Sequence, residues 1–138
     1  MSEMQDFNSR IIEEFRSHEG KVGPPFEGAP MVLLTTMGAK SGLPRTAPLV
    51  YLADGARIVI FASKAGAPTH PDWYHNLVAN PTATVEVGTD SYEVDAVVTA
   101  GEERDSLFRR QAELMPGFAD YQAATTRVIP VVALVRRA

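Results

Sequence analysis

A chain of 138 residues with 45% hydrophobic content is the size of one domain with a real core, and its net charge of −4 offers no general attraction for nucleic acid. It contains no cysteine, which excludes disulfides, thiolate catalysis and Cys-ligated zinc or iron–sulfur centres. No window approaches the about 20 apolar residues that cross a bilayer, and Met1–Asp6 lacks the basic and apolar runs of a secretory signal, so a cytoplasmic protein is expected.

The chain divides into an N-terminal helix over residues 1–20, a Gly/Pro-rich connector over 21–30 and a β-rich body over 31–138. Ser2 and Gln5 form a capping box, and Met4, Phe7, Ile11, Phe15 and His18 recur at helical spacing to give an apolar stripe suited to covering a core or the mouth of a site. The opposite face carries Glu3, Asp6, Glu13, Glu14 and Glu19 against Arg10 and Arg16, which disfavours anionic lipid surfaces. Strands are predicted at Met31–Thr36, at Arg45–Ala53 with Pro48 marking an edge or bulge, and at Arg57–Ala62 after an Asp54-Gly55 hairpin turn. Pro71–Ala79 reads as a short helix ending at Asn80-Pro81 in a left-handed cap. Thr82–Val87 and Tyr92–Thr99 flank a second hairpin at Gly88-Thr89-Asp90. Thr99 and Glu102 form another capping box before a helix over Glu103–Met115, a helical turn follows over Phe118–Gln122, and Val128–Val135 is the last strand. Hairpins join most neighbours and regular β-α-β alternation is missing, so the fold class is α+β, mainly β: a closed or split antiparallel barrel of about six strands with peripheral helices.

Chemistry concentrates in two loops. Thr36 to Arg45 supplies Gly38, Lys40, Ser41, Gly42 and Arg45, and Phe61 to Pro68 supplies Ser63, Lys64 and Gly66. Between Thr36 and His70, Lys40, Arg45, Arg57 and Lys64 stand against Asp54 alone, a basic island in an acidic chain. Glycines, hydroxyls and cations beside exposed amides suit a phosphate or carboxylate. Trp73, in the first turn of the following helix, could flank an aromatic ring. A planar ring with an anionic tail, that is, a flavin-like cofactor, fits this set.

Other chemistries fit less well. No Gly-x-Gly-x-x-Gly follows a strand and no Gly-Lys-Ser/Thr P-loop occurs. Ser63 has no evident base and no nucleophile elbow. His70 and His75, five residues apart and split by Pro71, do not share a helical face, so no metal site is expected. Glu102-Glu103 reads as helix-start charge placement.

Leu34-Thr35-Thr36-Met37-Gly38-Ala39-Lys40-Ser41-Gly42, Pro44-Arg45, Pro48-Leu49, Ala62-Ser63-Lys64, Pro71-Asp72-Trp73-Tyr74-His75-Asn76-Leu77, Ala79-Asn80-Pro81, Tyr121 and Arg127-Val128-Ile129-Pro130 follow one another in an order and spacing that resembles the deazaflavin-dependent nitroreductase family of split-barrel proteins, which use coenzyme F420. The resemblance covers about residues 31–135. It implies that Lys40, Ser41 and Arg45 hold the cofactor's phosphate, that Thr46, Ala47, Pro48, Leu49 and Val50 run beside it, and that Phe61, Ala62, Ser63 and Lys64 add further contacts. Asp72, Trp73, Tyr74, His75 and Asn76 would close over it, with Phe118 and Tyr121 lining the substrate side. The implied reaction is hydride transfer to an electrophilic acceptor such as a quinone, an activated enone or a nitroaromatic, with Tyr121 or Ser63 as hydrogen-bond donor. Against the family pattern, Ala39 replaces an arginine, Ala65 replaces a glycine, and Phe118 stands where some members have tyrosine. A homodimer is expected by the same resemblance. Competing readings are an FMN-dependent enzyme of the same barrel type, a non-catalytic carrier of a cofactor, haem or fatty acid, and a dimerisation module.

Overall fold

The computed structural model describes residues 3–23, 26 and 28–137, with the side chains of residues 3–6 excepted. The Ser2–Gln5 capping box lies outside what is described. The elements are α1 (Glu3–Ser17), β1 (Met31–Met37), β2 (Pro44–Asp54), β3 (Arg57–Phe61), α2 (Asp72–Ala79), β4 (Thr82–Val87), β5 (Asp90–Val98), α3 (Gly101–Leu114), α4 (Gly117–Ala123) and β6 (Val131–Arg136). A 3-10 turn over Lys64–Gly66 precedes α2. No helix among the described residues is long and apolar enough to cross a membrane.

The six strands close into an antiparallel barrel in the order β1-β2-β3-β6-β5-β4. Strand alternation sends one side chain inward and the next outward. Val32, Leu34, Ile58, Ile60, Val85, Val94, Val132 and Leu134 fill the interior, and Trp73 and Leu77 of α2 plug one end. On the outer wall, Ile11 and Phe15 of α1 cover Met31 and Leu33, while Leu107 and Phe108 of α3 and Phe118 of α4 cover Leu52, Val59, Phe61 and Val131.

The barrel is split along β2. Residues Met31–Met37 pair with Val50–Pro44, whereas β3 pairs only with Tyr51–Asp54. The edge of β2 from Pro44 to Val50 that faces away from β1 therefore has no strand partner. Pro48, which cannot donate to a ladder, sits in this stretch, as its edge reading requires.

Two expected caps take another form. Asn80 is extended (φ −134°, ψ 98°) instead of left-handed, the conformation that a following proline imposes. Thr99 does not cap α3: its hydroxyl donates to the Val131 carbonyl at 2.8 Å, the N-cap is Ala100, and the helix starts at Gly101.

Candidate cofactor and acceptor site

The β1–β2 connection forms the first loop. Gly38 N–H donates to the Leu43 carbonyl at 2.8 Å and Gly42 N–H to the Gly38 carbonyl at 2.9 Å, closing a turn in which Gly42 takes φ 68°. Leu43 N–H donates to Ser41 Oγ at 3.2 Å, so that oxygen is used as an acceptor and its hydrogen remains for another partner. Asn76 of α2, 6% exposed, pins the loop: its Oδ1 accepts from Ala39 N–H at 2.9 Å, and its Nδ2 donates to Thr36 Oγ1 at 3.0 Å. The amides of Lys40 and Ser41 donate to nothing among the described residues.

The second loop leaves β3. Ser63 is right-handed (φ −75°, ψ −40°), and Lys64 and Ala65 follow at φ 47° and 52°. Such a right-to-left step turns successive amides toward one point and makes an anion-binding concavity. The Ser63, Lys64 and Ala65 amides also lack an acceptor among the described residues. Gly66 (φ 80°) lies so close to α4 that an added Cβ would stand 2.9 Å from the Tyr121 carbonyl oxygen. The loop and α4 are thereby packed together.

Lys40, Arg45 and Lys64 are exposed, and none pairs with a carboxylate among the described residues; Lys64 Nζ meets only Thr69 Oγ1, at 3.2 Å. Arg57 differs. It is bound to Asp54 and Glu103, so its charge is committed to holding the β2–β3 turn against α3. The basic island thus reduces to three uncommitted cations, Lys40 and Lys64 on the two loops and Arg45 at the start of β2.

Several other predicted residues serve through packing. Trp73, 7% exposed, is in the barrel core, so it supports the floor beneath the loops. Phe61 and Phe118 stack edge-on at 5.7 Å in the outer cluster, and Phe118 meets the Tyr121 ring at 5.2 Å. Along β2, Ala47 and Leu49 face the barrel interior, Thr46 Oγ1 is bonded to Thr35 Oγ1 at 2.8 Å, and Val50 packs on the α1 cluster. Asp72 occupies the first turn of α2 and already complements that helix's N-terminal partial charge. His70, Tyr74 and His75 form an aromatic cluster, with centroids 4.8 Å apart for His70–Tyr74 and 5.8 Å for His70–His75. The hydroxyls of Ser63 and Tyr121 make no hydrogen bond among the described residues.

Sequence reasoning missed an open groove of about 840 Å³ beside β2, walled by Ala29, Pro30, Leu52, Leu114 and Met115, with Arg110 and Glu113 also at its surface. It does not touch Lys40, Arg45 or Lys64. Its β2 wall, Tyr51–Ala53, is the β3-paired stretch that follows the open edge along the strand, and Met115 packs on the same cluster as Tyr121. No periodic signal marks it, because its walls come from three separated segments. Arg127 was also passed over except as part of a motif. Its place follows from the barrel register: Phe61 faces Val131, so four further residues bring 127 level with 65.

The residues present fit a cofactor with an anionic tail: among the described residues, five undonated amides and two unpaired lysines lie on two loops that Asn76 and Gly66 tie to their neighbours, and the unpaired Arg45 follows the first loop in β2. Comparison with known proteins agrees. Residues 9–136 match the family described as F420H(2)-dependent quinone reductase. An F420H(2)-dependent quinone reductase of Mycobacterium tuberculosis is 40% identical over 129 residues, covering 89% of this chain and 85% of that protein. Among solved structures, an F420-H2 dependent reductase (FDR-A) shares 42% identity at a TM-score of 0.70 over 76% of this chain and 93% of that one. Another, described as a domain-swapped dimer, shares 36% identity at a TM-score of 0.72 over 95% and 98%. With the barrel, the loops and these relatives in agreement, the chain belongs to the F420H(2)-dependent quinone reductase family, and it is an oxidoreductase whose reductant is the reduced deazaflavin coenzyme.

Proposed function

We propose that the two loops hold the anionic tail of the coenzyme, that its ring lies along the open edge of β2, and that a quinone enters from the apolar groove beside Tyr51–Ala53. The observation that carries this reading is the coincidence of unpaired Lys40, Arg45 and Lys64 with the undonated amides of Lys40, Ser41, Ser63, Lys64 and Ala65. Oxyanions bind where donors are already oriented and no internal carboxylate competes. Reduced F420, when bound, supplies a hydride; the quinone takes up that hydride and one proton to become a hydroquinone. The chain's part is to fix the tail, exclude water beneath the apolar walls, and present a donor to the acceptor oxygen that gains charge. The uncommitted hydroxyl of Tyr121, on the helix packed against the second loop, is the better placed donor, with Ser63 as the other. Ala39, where the family pattern has arginine, leaves the first loop with one cation fewer, so the amides carry more of the binding.

Titration of the protein with F420, FMN and haem, following Trp73 fluorescence and coenzyme absorbance, tests the assignment. F420 binds and FMN binds at least about tenfold more weakly, because a shorter tail reaches fewer donors. Lys40→Ala and Lys64→Ala each weaken F420 about fivefold to twentyfold, on the order of 1–2 kcal/mol for an exposed charge-assisted contact. Unchanged affinity in both variants would remove the loops from the site.

A further inference from the structure

Arg127 lies between α4 and β6, and its guanidinium is spent on one loop. Nε donates to the Ala67 carbonyl at 2.9 Å, Nη1 to the Ala62 carbonyl at 3.1 Å, and Nη2 to the Ser63 carbonyl at 2.8 Å, while Nη1 also meets His70 Nδ1 at 3.0 Å. These acceptors bracket the segment that carries Lys64. No carboxylate pairs with Arg127 among the described residues, and burial holds its pKa below the usual arginine value. It acts here as a planar fork of donors, a task that a lysine cannot copy.

The loop needs such a fork. Lys64 and Ala65 both sit at positive φ, 47° and 52°, a region that strains any residue with a Cβ. Conformations of this kind persist only where the surroundings over-determine them. Inside the loop, Gly66 N–H donates to the Ser63 carbonyl and Ala67 N–H to the Lys64 carbonyl, at 2.9 and 3.0 Å. Arg127 ties carbonyls on both sides of that turn to the barrel.

We propose that Arg127 is the positioning residue of the Lys64 anion loop, and that its hydrogen bond to His70 makes the order of that loop depend on pH. The consequence for coenzyme affinity rests on the site reading given above; the consequence for loop order does not. His70 Nδ1 accepts only while it is unprotonated. Arg127 faces it on one side, and Tyr74 and His75 of α2 on the other; Lys64 is bonded to the adjacent Thr69, and Asp72, two residues on, is exposed. Burial first, then Arg127 and His75, hold the His70 pKa below its ordinary value. The imidazole is thus a neutral acceptor at pH 7. As pH falls through the lowered value, the acceptor becomes a second cation beside the guanidinium and the clamp loosens.

Hydrogen exchange at the Gly66 and Ala67 amides of the cofactor-free protein, between pH 7.5 and 5 and corrected for intrinsic rates, reads loop order directly. Coenzyme titrations over the same range read its consequence. Arg127→Lys should reduce protection of both amides at least about tenfold at pH 7.5 and weaken F420 about tenfold, with kcat at saturating coenzyme within about twofold of the original. His70→Asn, which keeps an acceptor near Nδ1 but does not titrate, should abolish the loss of protection that the unsubstituted protein shows on acidification. Protection unchanged in Arg127→Lys overturns the proposal, as does equal protection of the unsubstituted protein at pH 7.5 and 5. If Arg127→Lys does not fold, His70→Asn decides: acid loosening as large as in the parent protein sinks the idea. Loop protection that behaves as expected in a protein that binds no F420 supports the positioning role and removes the coenzyme reading.

Discussion

Ala65 shows how one side chain can be tolerated and still cost something. It is exposed, yet its φ of 52° belongs to the region where glycine alone is unstrained. Ala65→Gly should therefore stabilise the folded chain by about 0.5–1 kcal/mol, the left-handed strain relieved minus the added chain entropy, as a rise in the urea midpoint would show. A lower midpoint would mean that the alanine makes a contact the geometry does not reveal. The three unpaired cations were legible as candidates in the sequence because they stand close to glycines and hydroxyls, where charge has no core to serve. The depth at which Trp73 and Phe118 sit was not legible, because an aromatic residue has the same letter on a cavity wall and inside a packed core; both are under a tenth exposed. Asn76 was expected to touch the coenzyme; its two hydrogen bonds hold the first loop in place.

At the next level, the ends of elements decide where the loops stand. Helix α1 terminates through Glu19 at φ 57° and Gly20 at φ 92°, with Gly20 N–H reaching back to the Phe15 carbonyl at 2.8 Å. That ending presses Gly20 against the β4–β5 hairpin, where an added Cβ would come 2.7 Å from Gly88 Cα, a backbone atom that cannot rotate away. Gly20→Ala should cost about 2–4 kcal/mol, combining strain at positive φ with overpacking, measurable as a lowered thermal midpoint. The hairpin turns, the helix start at Pro71 and the edge character of Pro48 were all readable, because each depends on the backbone limits of one or two residues. The 3-10 turn at Lys64–Gly66 was not. Its conformation is imposed from outside by Arg127 and α4, and no local propensity would select two consecutive non-glycine residues at positive φ.

Taken together, the described elements leave the Pro44–Val50 edge of β2 open on the side away from β1, and the groove beside Leu52 and Met115 borders the next stretch of that strand. If the acceptor enters there, Leu114→Arg, a change at a side chain 70% exposed, should raise the KM for a quinone bearing an isoprenoid tail about fivefold, on the order of 1 kcal/mol of lost apolar contact. The KM for a tail-less quinone and the melting temperature should both stay nearly constant. Equal effects on the two quinones would move acceptor binding elsewhere. Alternation of apolar residues, turn chemistry and the order of motifs were enough to establish an antiparallel six-stranded barrel with a basic pair of loops, since those properties follow from residues close together along the chain. Which side chains brace the loops and where the edge of β2 stays open were settled by packing, because Arg127 and Ala62, Asn76 and Ala39, or Pro30 and Met115 come together only when distant segments close around one core.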